Sequence, residues 1–346
     1  MYLAFALSDR LVDLRLRLPH VRRWGARGSP ARAPTRAWSP KPICGIFQYP
    51  PPFLVLSAPF TLLLPDAANW VWVAMLTACV PLAVLAMPVP PFTRLVVMAL
   101  LGTSWPTLFA IRVGAVGPLL LLLFALGWRW VDRPGRLAAV TVLGGFIKLM
   151  PGLMIGWMLL TRRWRAAFIA IAGAAVVGGA WLLVQPDLWL GFLTVEREIA
   201  TKVIDAPSNF SPAALAHFGG LSAGSAQLVG LVHAVALAGI AIAAALRRSA
   251  GASFIAAAIA TQAIAPVLWD HYAIVVFLAV AWLLARRQWW AALLGIAMNW
   301  MLILWFQPWQ WIALMDAAIV AVVVVDWLDA RRVPAVPAPA PQAAAA

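Results

Sequence analysis

Long, continuous apolar runs separated by short polar segments dominate the chain from about residue 68 onwards. Each run is close to the ~20 residues that a helix needs to cross ~30 Å of hydrocarbon, whereas a transmembrane barrel shows alternating segments of ~10 residues. The pattern therefore predicts an all-α polytopic membrane protein with about nine full spans. These are residues 68–88, 94–111, 113–130, 164–184, 222–246, 251–268, 272–285, 289–306 and 309–328.

Two further apolar stretches do not fit a simple crossing. The stretch 137–160 carries Lys148 and Pro151 near its centre and has Arg clusters on both sides, so one crossing would misplace one cluster. A re-entrant pair of half-helices that enters and leaves on the same face satisfies both facts. A single span with a snorkelling lysine is the alternative. The proline-rich stretch 43–64 is predicted to be a half-embedded element with both ends on one face.

Basic residues give the predicted spans an orientation, because Lys and Arg collect on the cytoplasmic side. With the two assignments above, one set of segments falls inside: 129–136, 162–165, 247–248, 286–287 and 331–332. The other set falls outside and carries most of the acids of the apolar region: 112–118, 185–221, 269–272 and 307–310. The sequence therefore predicts a polar outer face opposite the Arg clusters.

Composition supports the membrane class and excludes several others. The chain of 346 residues is 64% hydrophobic and 11% charged. Its net charge of +14 does not indicate nucleic-acid binding, because the basic residues lie in short clusters between spans. Neither Cys44 nor Cys79 has His or Cys at zinc-ligand spacing, so no metal is predicted. Motifs of phosphate-binding loops, CxxC redox sites and HExxH metalloproteases are missing from the sequence.

The predicted domains are an Arg/Pro-rich segment 1–42, a transmembrane domain 43–330 and a disordered Pro/Ala-rich tail 331–346. The first segment contains nine basic residues, which contradicts the outer position that the topology gives it. Three interpretations stay open. An upstream span ends in residues 3–9, the segment results from a wrong start or a shifted frame, or it is cytoplasmic and 43–64 crosses the membrane.

The tetrad Trp-Asp-His-Tyr at 269–272 lies between two apolar runs. An acid beside an imidazole is costly in lipid, so the pair must lie at a span end or line a wet cavity. An ordinary polar span end is the alternative interpretation. Lys148 and Arg112 are cations that could bind phosphate beside it. Glu196 and Glu198 are expected on the solvated face of an amphipathic helix, and His233 is expected to make a hydrogen bond inside the bundle.

Five short motifs, in this order, carry a family resemblance. They are Tyr49-Pro50-Pro51, Lys148-Leu-Met-Pro151, Arg162-Arg163-Trp164-Arg165-Ala166, Ser208-Asn209-Phe210-Ser211 and Trp269-Asp270-His271-Tyr272. From about residue 43 to 330 the chain resembles glycosyltransferase family 87, which implies a GT-C-type bundle. The family consists of mannosyltransferases that use polyprenyl-phosphate mannose. The resemblance implies inverting transfer of a sugar to a lipid or glycan hydroxyl at the external face of the bacterial plasma membrane.

The resemblance also implies roles for individual residues. The family's catalytic aspartate follows its first span, which is apparently missing or reduced here, so Asp9 is the candidate and Asp13 the alternative. Candidates for substrate binding are Lys148, Asp270, His271, Tyr272, Asn209, Arg112 and Tyr49. No cofactor is implied beyond the lipid-phosphate-linked donor, and the partners are that donor, the acceptor and membrane lipids, without nucleic acid. A lipid or glycan transporter or flippase, or an inactive truncated paralogue, are the alternative functions.

Overall fold

The computed structural model describes residues 49–206 and 209–332, so Asp9, Asp13 and the rest of segment 1–42 lie outside it. The helices are α1 (Phe53–Ser57), α2 (Pro65–Ala86), α3 (Pro91–Gly102), α4 (Trp105–Val113), α5 (Gly117–Arg129), α6 (Pro134–Ile147), α7 (Leu149–Gly152), α8 (Met154–Leu160), α9 (Trp164–Val184), α10 (Pro186–Lys202), α11 (Pro212–Phe218), α12 (Ala223–Arg247), α13 (Ala250–Ala263), α14 (Val276–Ala285), α15 (Ala292–Ala297) and α16 (Pro308–Arg332). Within the described residues, four helices are long and apolar enough to cross a membrane, namely α2, α9, α12 and α16. Shorter apolar helices accompany them, which confirms an all-helical, multi-pass membrane protein.

The centre of the bundle is formed by α13 and α14. From Ala252 to Ala263 and from Val276 to Leu284 every residue is buried. Alanine-rich α13 lets its neighbours approach closely, as small residues do between membrane helices. The short α14 is enclosed by protein, so it does not have to match the thickness of the hydrocarbon. By contrast α9 and α12 expose apolar side chains along most of their length, as lipid-facing helices do.

Two of the predicted spans, 94–111 and 289–306, are interrupted helices. The first breaks between α3 and α4, and the second breaks after α15. The two breaks lie side by side: the Trp105 N–H donates to the Met298 carbonyl (2.7 Å), and the Trp300 N–H donates to the Thr103 carbonyl (3.1 Å). A break inside an apolar bundle leaves backbone groups that cost several kcal/mol each if unpaired. Here each break supplies the partners of the other, and the expectation of two uninterrupted helices is wrong.

The stretch 137–160 forms a helical hairpin, as the flanking charges predict. Its arms are α6 on one side and α7 with α8 on the other, and between them Lys148 is extended (φ −154°, ψ 135°). Arg163, after the second arm, lies 3.1 Å from the carboxylate of Asp132, before the first arm, so both arms meet at one end. The arms approach closely near the tip, where a Cβ on Gly145 would lie 3.3 Å from the Cα of Gly152. Lys148 therefore lies at the tip of the hairpin.

The basic segments gather at one end of the bundle. Asp326 of α16 accepts hydrogen bonds from the Ser249 N–H (2.9 Å) and hydroxyl (2.5 Å), which caps the start of α13. Arg286, after α14, lies 3.4 Å from Asp329. At the other end of α13 the Phe210 N–H donates to the Leu268 carbonyl (2.7 Å), which joins two of the predicted outer loops. The Arg clusters and the polar loops are thus on opposite ends, as predicted.

The described part of the proline-rich stretch packs across the beginning of α2. The ring of Tyr49 stacks on Phe53 (4.6 Å), and Phe53 and Phe60 both contact Trp72 edge-on (6.4 and 5.4 Å). The Trp72 indole N–H donates to the carbonyl of Gly114 (3.0 Å), which ends α4 in the left-handed conformation that glycine adopts most easily. Residues 49–60 therefore pack beside the beginning of α2 and the end of α4, and their half-embedded position stays a prediction.

Candidate active site

The side chain of Asp270 is fixed by two hydrogen bonds. After α13 the chain is irregular up to Trp269, and Asp270 begins a 3-10 helix that ends at Val275. One carboxylate oxygen accepts from the Trp105 indole N–H (2.5 Å), and the other accepts from the backbone N–H of His271 (2.8 Å). Asp270 is 13% exposed. Both oxygens have protein partners, so this carboxylate is a rigid part of the site.

One ring nitrogen of His271 is available for a hydrogen bond to a ligand. Its Nδ1 lies 3.5 Å from the carboxylate of Asp270, a distance too long for a well-aligned hydrogen bond. That buried nitrogen has no other partner among the described residues. The ring lies against Phe109 (6.2 Å between centroids) and Tyr272 (4.9 Å). A buried polar atom is normally hydrogen-bonded, and a bound ligand can supply the missing hydrogen bond.

The hairpin tip reaches the tetrad, as the phosphate-binding hypothesis requires. The Lys148 ammonium lies over the ring of Tyr272, 3.4 Å from its centroid, a cation–π contact. Within residues 49–206 and 209–332 no ion pair within 4.0 Å includes Lys148. A cation that is oriented by an aromatic ring but not neutralised by a carboxylate can bind an anionic ligand. The structure thus brings Lys148, Tyr272, His271 and Asp270 into one continuous group.

The burial of Glu196 differs from what the sequence predicts. Its neighbour Glu198 is exposed, as expected, but Glu196 is half-buried on the inner face of α10. Burial raises the pKa of the Glu196 carboxyl, and the nearby Lys148 ammonium lowers that pKa in part. The prediction that both glutamates are solvated is therefore wrong for Glu196. The spacing of Glu196 from Phe192 and Ile199, at four and three residues, is the signal that could have placed it inside.

Asn209 is tied to the backbone that leads into the tetrad. Its side-chain oxygen accepts from the backbone N–H groups of Ser211 (3.0 Å) and Leu268 (3.1 Å), and its NH2 group donates to the Val203 carbonyl (3.1 Å). The side chain is only 1% exposed. These bonds hold the segment from Val203 to Ser211 against Leu268, the residue just before Trp269. Substrate binding by Asn209 stays a prediction, and the observed contacts are those of a positioning residue.

Arg112 and Tyr49 lie beside the junction of α4 and α2. Arg112 is exposed in the last turn of α4, on the face that also carries Trp105 and Phe109, because residues i, i+4 and i+7 share a helix face. Burial raises the pKa of the Tyr49 phenol to about 12, so it stays protonated at neutral pH. Both residues are in the part of the molecule where α4 ends and α2 begins. Their contact with a substrate stays a prediction.

Comparison with protein families decides the class. A model of glycosyltransferase family 87 matches residues 47–269, more than half of the chain. The protein belongs to glycosyltransferase family 87. No curated protein and no solved structure matches it. The match ends at Trp269, directly before Asp270, and it includes the hairpin with Lys148. Family membership and the apolar helices together make the chain a membrane glycosyltransferase.

Two aromatic residues of this family 87 protein were not nominated from its sequence. Trp105 donates to Asp270 and stacks on Phe109 (5.1 Å), which in turn faces His271. No local signal marks them, because both lie inside an apolar run and the contact joins positions 165 residues apart. Within the described ranges, no group of three or more His, Cys, Asp or Glu residues could hold a metal ion.

Proposed function

We propose that the protein transfers a sugar, with mannose the first candidate, from a polyprenyl-phosphate donor to a hydroxyl of a lipid or glycan acceptor. The transfer inverts the anomeric configuration and takes place at the outer face of a bacterial plasma membrane. One observation carries the proposal: Lys148, whose ammonium forms no ion pair with residues 49–206 or 209–332, lies at the tip of an apolar hairpin beside His271 and Tyr272. That arrangement suits a ligand with a phosphate head and an apolar tail.

The charge that develops on the leaving lipid phosphate needs cations or hydrogen-bond donors in a site of low dielectric constant. Lys148 is the nearest cation of the described site, and the unpartnered nitrogen of His271 is a possible donor. Arg112, on the same helix face as Trp105 and Phe109, is a third candidate. These groups bind the phosphate, while Asp270 holds the backbone N–H of His271.

An exposed apolar stripe on the return arm of the hairpin suits the lipid tail. Leu149, Leu153 and Leu160 are 42%, 49% and 37% exposed, and Gly156 between them is open. Their spacing places them on one side of the arm, which lies between the lipid-facing helices α9 and α12. Burying a prenyl chain there contributes roughly 25 cal/mol per Å² of apolar surface. The stripe begins beside Lys148, so the phosphate and the tail can bind together.

The acceptor hydroxyl loses a proton as it attacks the anomeric carbon, so a carboxylate has to serve as base. The family resemblance nominates Asp9, with Asp13 as alternative, and both lie outside the described residues. The proposal includes no metal and no cofactor. Its partners are the lipid-linked donor, the acceptor and membrane lipids. The outer position rests on the basic segments at the opposite end of the bundle.

The direct test uses the purified full chain in detergent or vesicles with polyprenyl-phosphate mannose and a membrane lipid extract as acceptor. The expected result is release of polyprenyl phosphate that depends on the acceptor, together with a mannosylated product. Polyprenyl-phosphate glucose serves as the matched donor for sugar specificity. Absence of release with every polyprenyl-phosphate sugar would refute the proposed reaction and favour an inactive paralogue.

A transporter or flippase is the second candidate, favoured by one observation. His233 of α12 hydrogen-bonds both carboxylate oxygens of Asp316 in α16 (3.2 and 3.1 Å), which confirms that His233 makes an internal hydrogen bond. Ionisable pairs within membrane helices are common in transport pathways. Vesicles reconstituted with the protein should then move labelled polyprenyl-phosphate sugar between leaflets without forming product. Product formation without such movement excludes this candidate.

A further inference from the structure

Helix α10 begins where the membrane helix α9 ends. The helix α9 starts within the basic segment 162–165 and reaches the other end of the bundle at Val184, after 21 residues. Gln185 is extended (φ −143°, ψ 65°) and breaks the helix, and Pro186 starts α10 at a position where its missing N–H costs no hydrogen bond. Because one residue separates the two helices, α10 begins at the boundary between the membrane and water.

The first turns of α10 are held back along α9. A Cβ on Gly178 of α9 would lie 3.9 Å from the ring of Trp189 and 3.8 Å from the ring of Phe146 in α6. Gly178 precedes Val184 by six residues, which is about 9 Å along the helix axis. Phe192, which meets Trp189 edge-on (6.0 Å), is buried. The helix therefore does not extend away from the membrane but lies against the end of the bundle.

Helical periodicity divides the surface of α10 into three stripes, of which one is turned to the protein and two are exposed. The inner stripe consists of Trp189, Phe192 and Glu196, the exposed apolar stripe of Leu190 and Leu193, and the exposed polar stripe of Asp187, Thr194 and Glu198. The two leucines are 62% and 53% exposed. A helix with a packed face, an apolar face and a polar face is typical of one that lies in the plane of a membrane interface.

The exposed apolar stripe continues the lipid-facing surface of α9. Leu183 and Val184, at the end of α9, are 85% and 73% exposed, and Leu190 and Leu193 follow on the next helix. The membrane that covers the last turn of α9 is therefore the nearest cover for the two leucines of α10. Arg197 follows them on the same stripe, and the long side chain of an arginine can reach the lipid head groups from such a position.

We propose that α10 is an in-plane membrane anchor. Its leucine stripe lies among the lipids of the leaflet farther from the Arg clusters, and its polar stripe lies in water. The partner is the bilayer surface itself, and the inference holds whether or not the protein transfers a sugar. The exposed charged residues of α10 whose side chains are described are two acids, Asp187 and Glu198, and one cation, Arg197. Because they give no net attraction to anionic lipid, apolar contact supplies the insertion.

The anchor connects the bilayer surface with the hairpin. Trp189 of α10 and Phe146 of α6 both approach Gly178, and Phe146 lies two residues before the hairpin tip at Lys148. Lipid on one side of α10 and the hairpin on the other thus hold this helix in place. Interfacial helices lie about 5–10 Å deep in the boundary between head groups and acyl chains, which gives the depth expected for the leucine stripe.

The test measures the depth of α10 with spin labels on the full-length protein in phosphatidylcholine nanodiscs. Collisions with oxygen report the acyl region, and collisions with a water-soluble nickel chelate report the aqueous phase. Single cysteines are introduced into a background that carries Cys44→Ser and Cys79→Ala. The labelled variants are Leu190→Cys and Leu193→Cys on the apolar stripe, Asp187→Cys and Glu198→Cys as matched controls on the polar stripe, and Leu183→Cys on α9 as the lipid-facing control.

Labels at positions 190 and 193 should lie about 5–10 Å below the lipid phosphates, whereas labels at 187 and 198 should collide mainly with the nickel chelate. The depths should stay the same when phosphatidylglycerol is added to the nanodiscs. Labels at 190 and 193 that are as accessible to the chelate as the label at 198 would overturn the inference. Immobile labels that neither reagent reaches would overturn it as well, because a second copy or another part of the chain would then cover the stripe. Insertion that requires phosphatidylglycerol would overturn the apolar basis of the anchor.

Discussion

Replacing Lys148 by methionine should lower the activity of the protein without lowering its stability. The change removes the ammonium but keeps a flexible side chain of similar length. A hydrogen bond from a charged group contributes about 1.5–3 kcal/mol, so loss of the contact with the leaving phosphate should lower kcat/KM about 10- to 150-fold.

The fold should tolerate this change, because Lys148 has no described ion-pair partner to leave behind. The lost cation–π contact with Tyr272 costs at most about 2 kcal/mol. Methionine also removes the free-energy penalty for holding an ammonium away from water, which is several kcal/mol per ion in proteins. This gain offsets the lost cation–π contact. The free energy of unfolding should therefore stay the same or rise.

The assay measures release of polyprenyl phosphate and thermal unfolding on the same detergent-purified samples. Arg136→Met is the matched control, since Arg136 also lies over an indole, that of Trp130 (5.5 Å), but at the opposite end of the hairpin. Its turnover should stay within twofold of the wild type. A Lys148→Met protein that keeps half of its turnover, or that loses turnover only together with its fold, would refute the phosphate-binding role.

Three further changes test the surroundings of the site. Trp105→Phe removes the indole donor to Asp270 and should lower the free energy of unfolding by about 1.5–3 kcal/mol in chemical denaturation; unchanged stability would contradict that bond. Asn209→Ala leaves two buried backbone N–H groups without acceptors and should cost at least about 2 kcal/mol, whereas Asn209→Asp keeps an acceptor and should cost less. The pKa of the Glu196 carboxyl should lie above the ordinary glutamate value of about 4.3, because burial raises it, and an infrared titration of the carboxyl band checks this. In Lys148→Met the pKa of Glu196 should rise further, since the ammonium that lowers it is gone; an unchanged pKa would contradict the interaction between the two groups.

Local patterns were enough to predict the class of the protein and the hairpin. Apolar runs and Arg clusters are properties of neighbouring residues, so the sequence indicates helices, their two ends and the reversal at Lys148. The contact between Asp132 and Arg163 confirms that reversal. Helix continuity was harder to predict, because the breaks near Ser104 and Asn299 are stable only where each pairs with the other.

The sequence by itself determined a polytopic helical membrane protein of glycosyltransferase family 87, with its acids and its Arg clusters on opposite ends. Only the tertiary structure decided which of those polar groups form a site. The bond from Trp105 to Asp270 and the contact of Lys148 with Tyr272 join positions far apart in the chain, where no periodicity connects them. Glu196 likewise differs from Glu198 because the packing of α10 buries one side of that helix and leaves the other in solvent. Hydrophobic pattern and charge fix where a segment lies, whereas the partner of each polar side chain depends on how the helices pack.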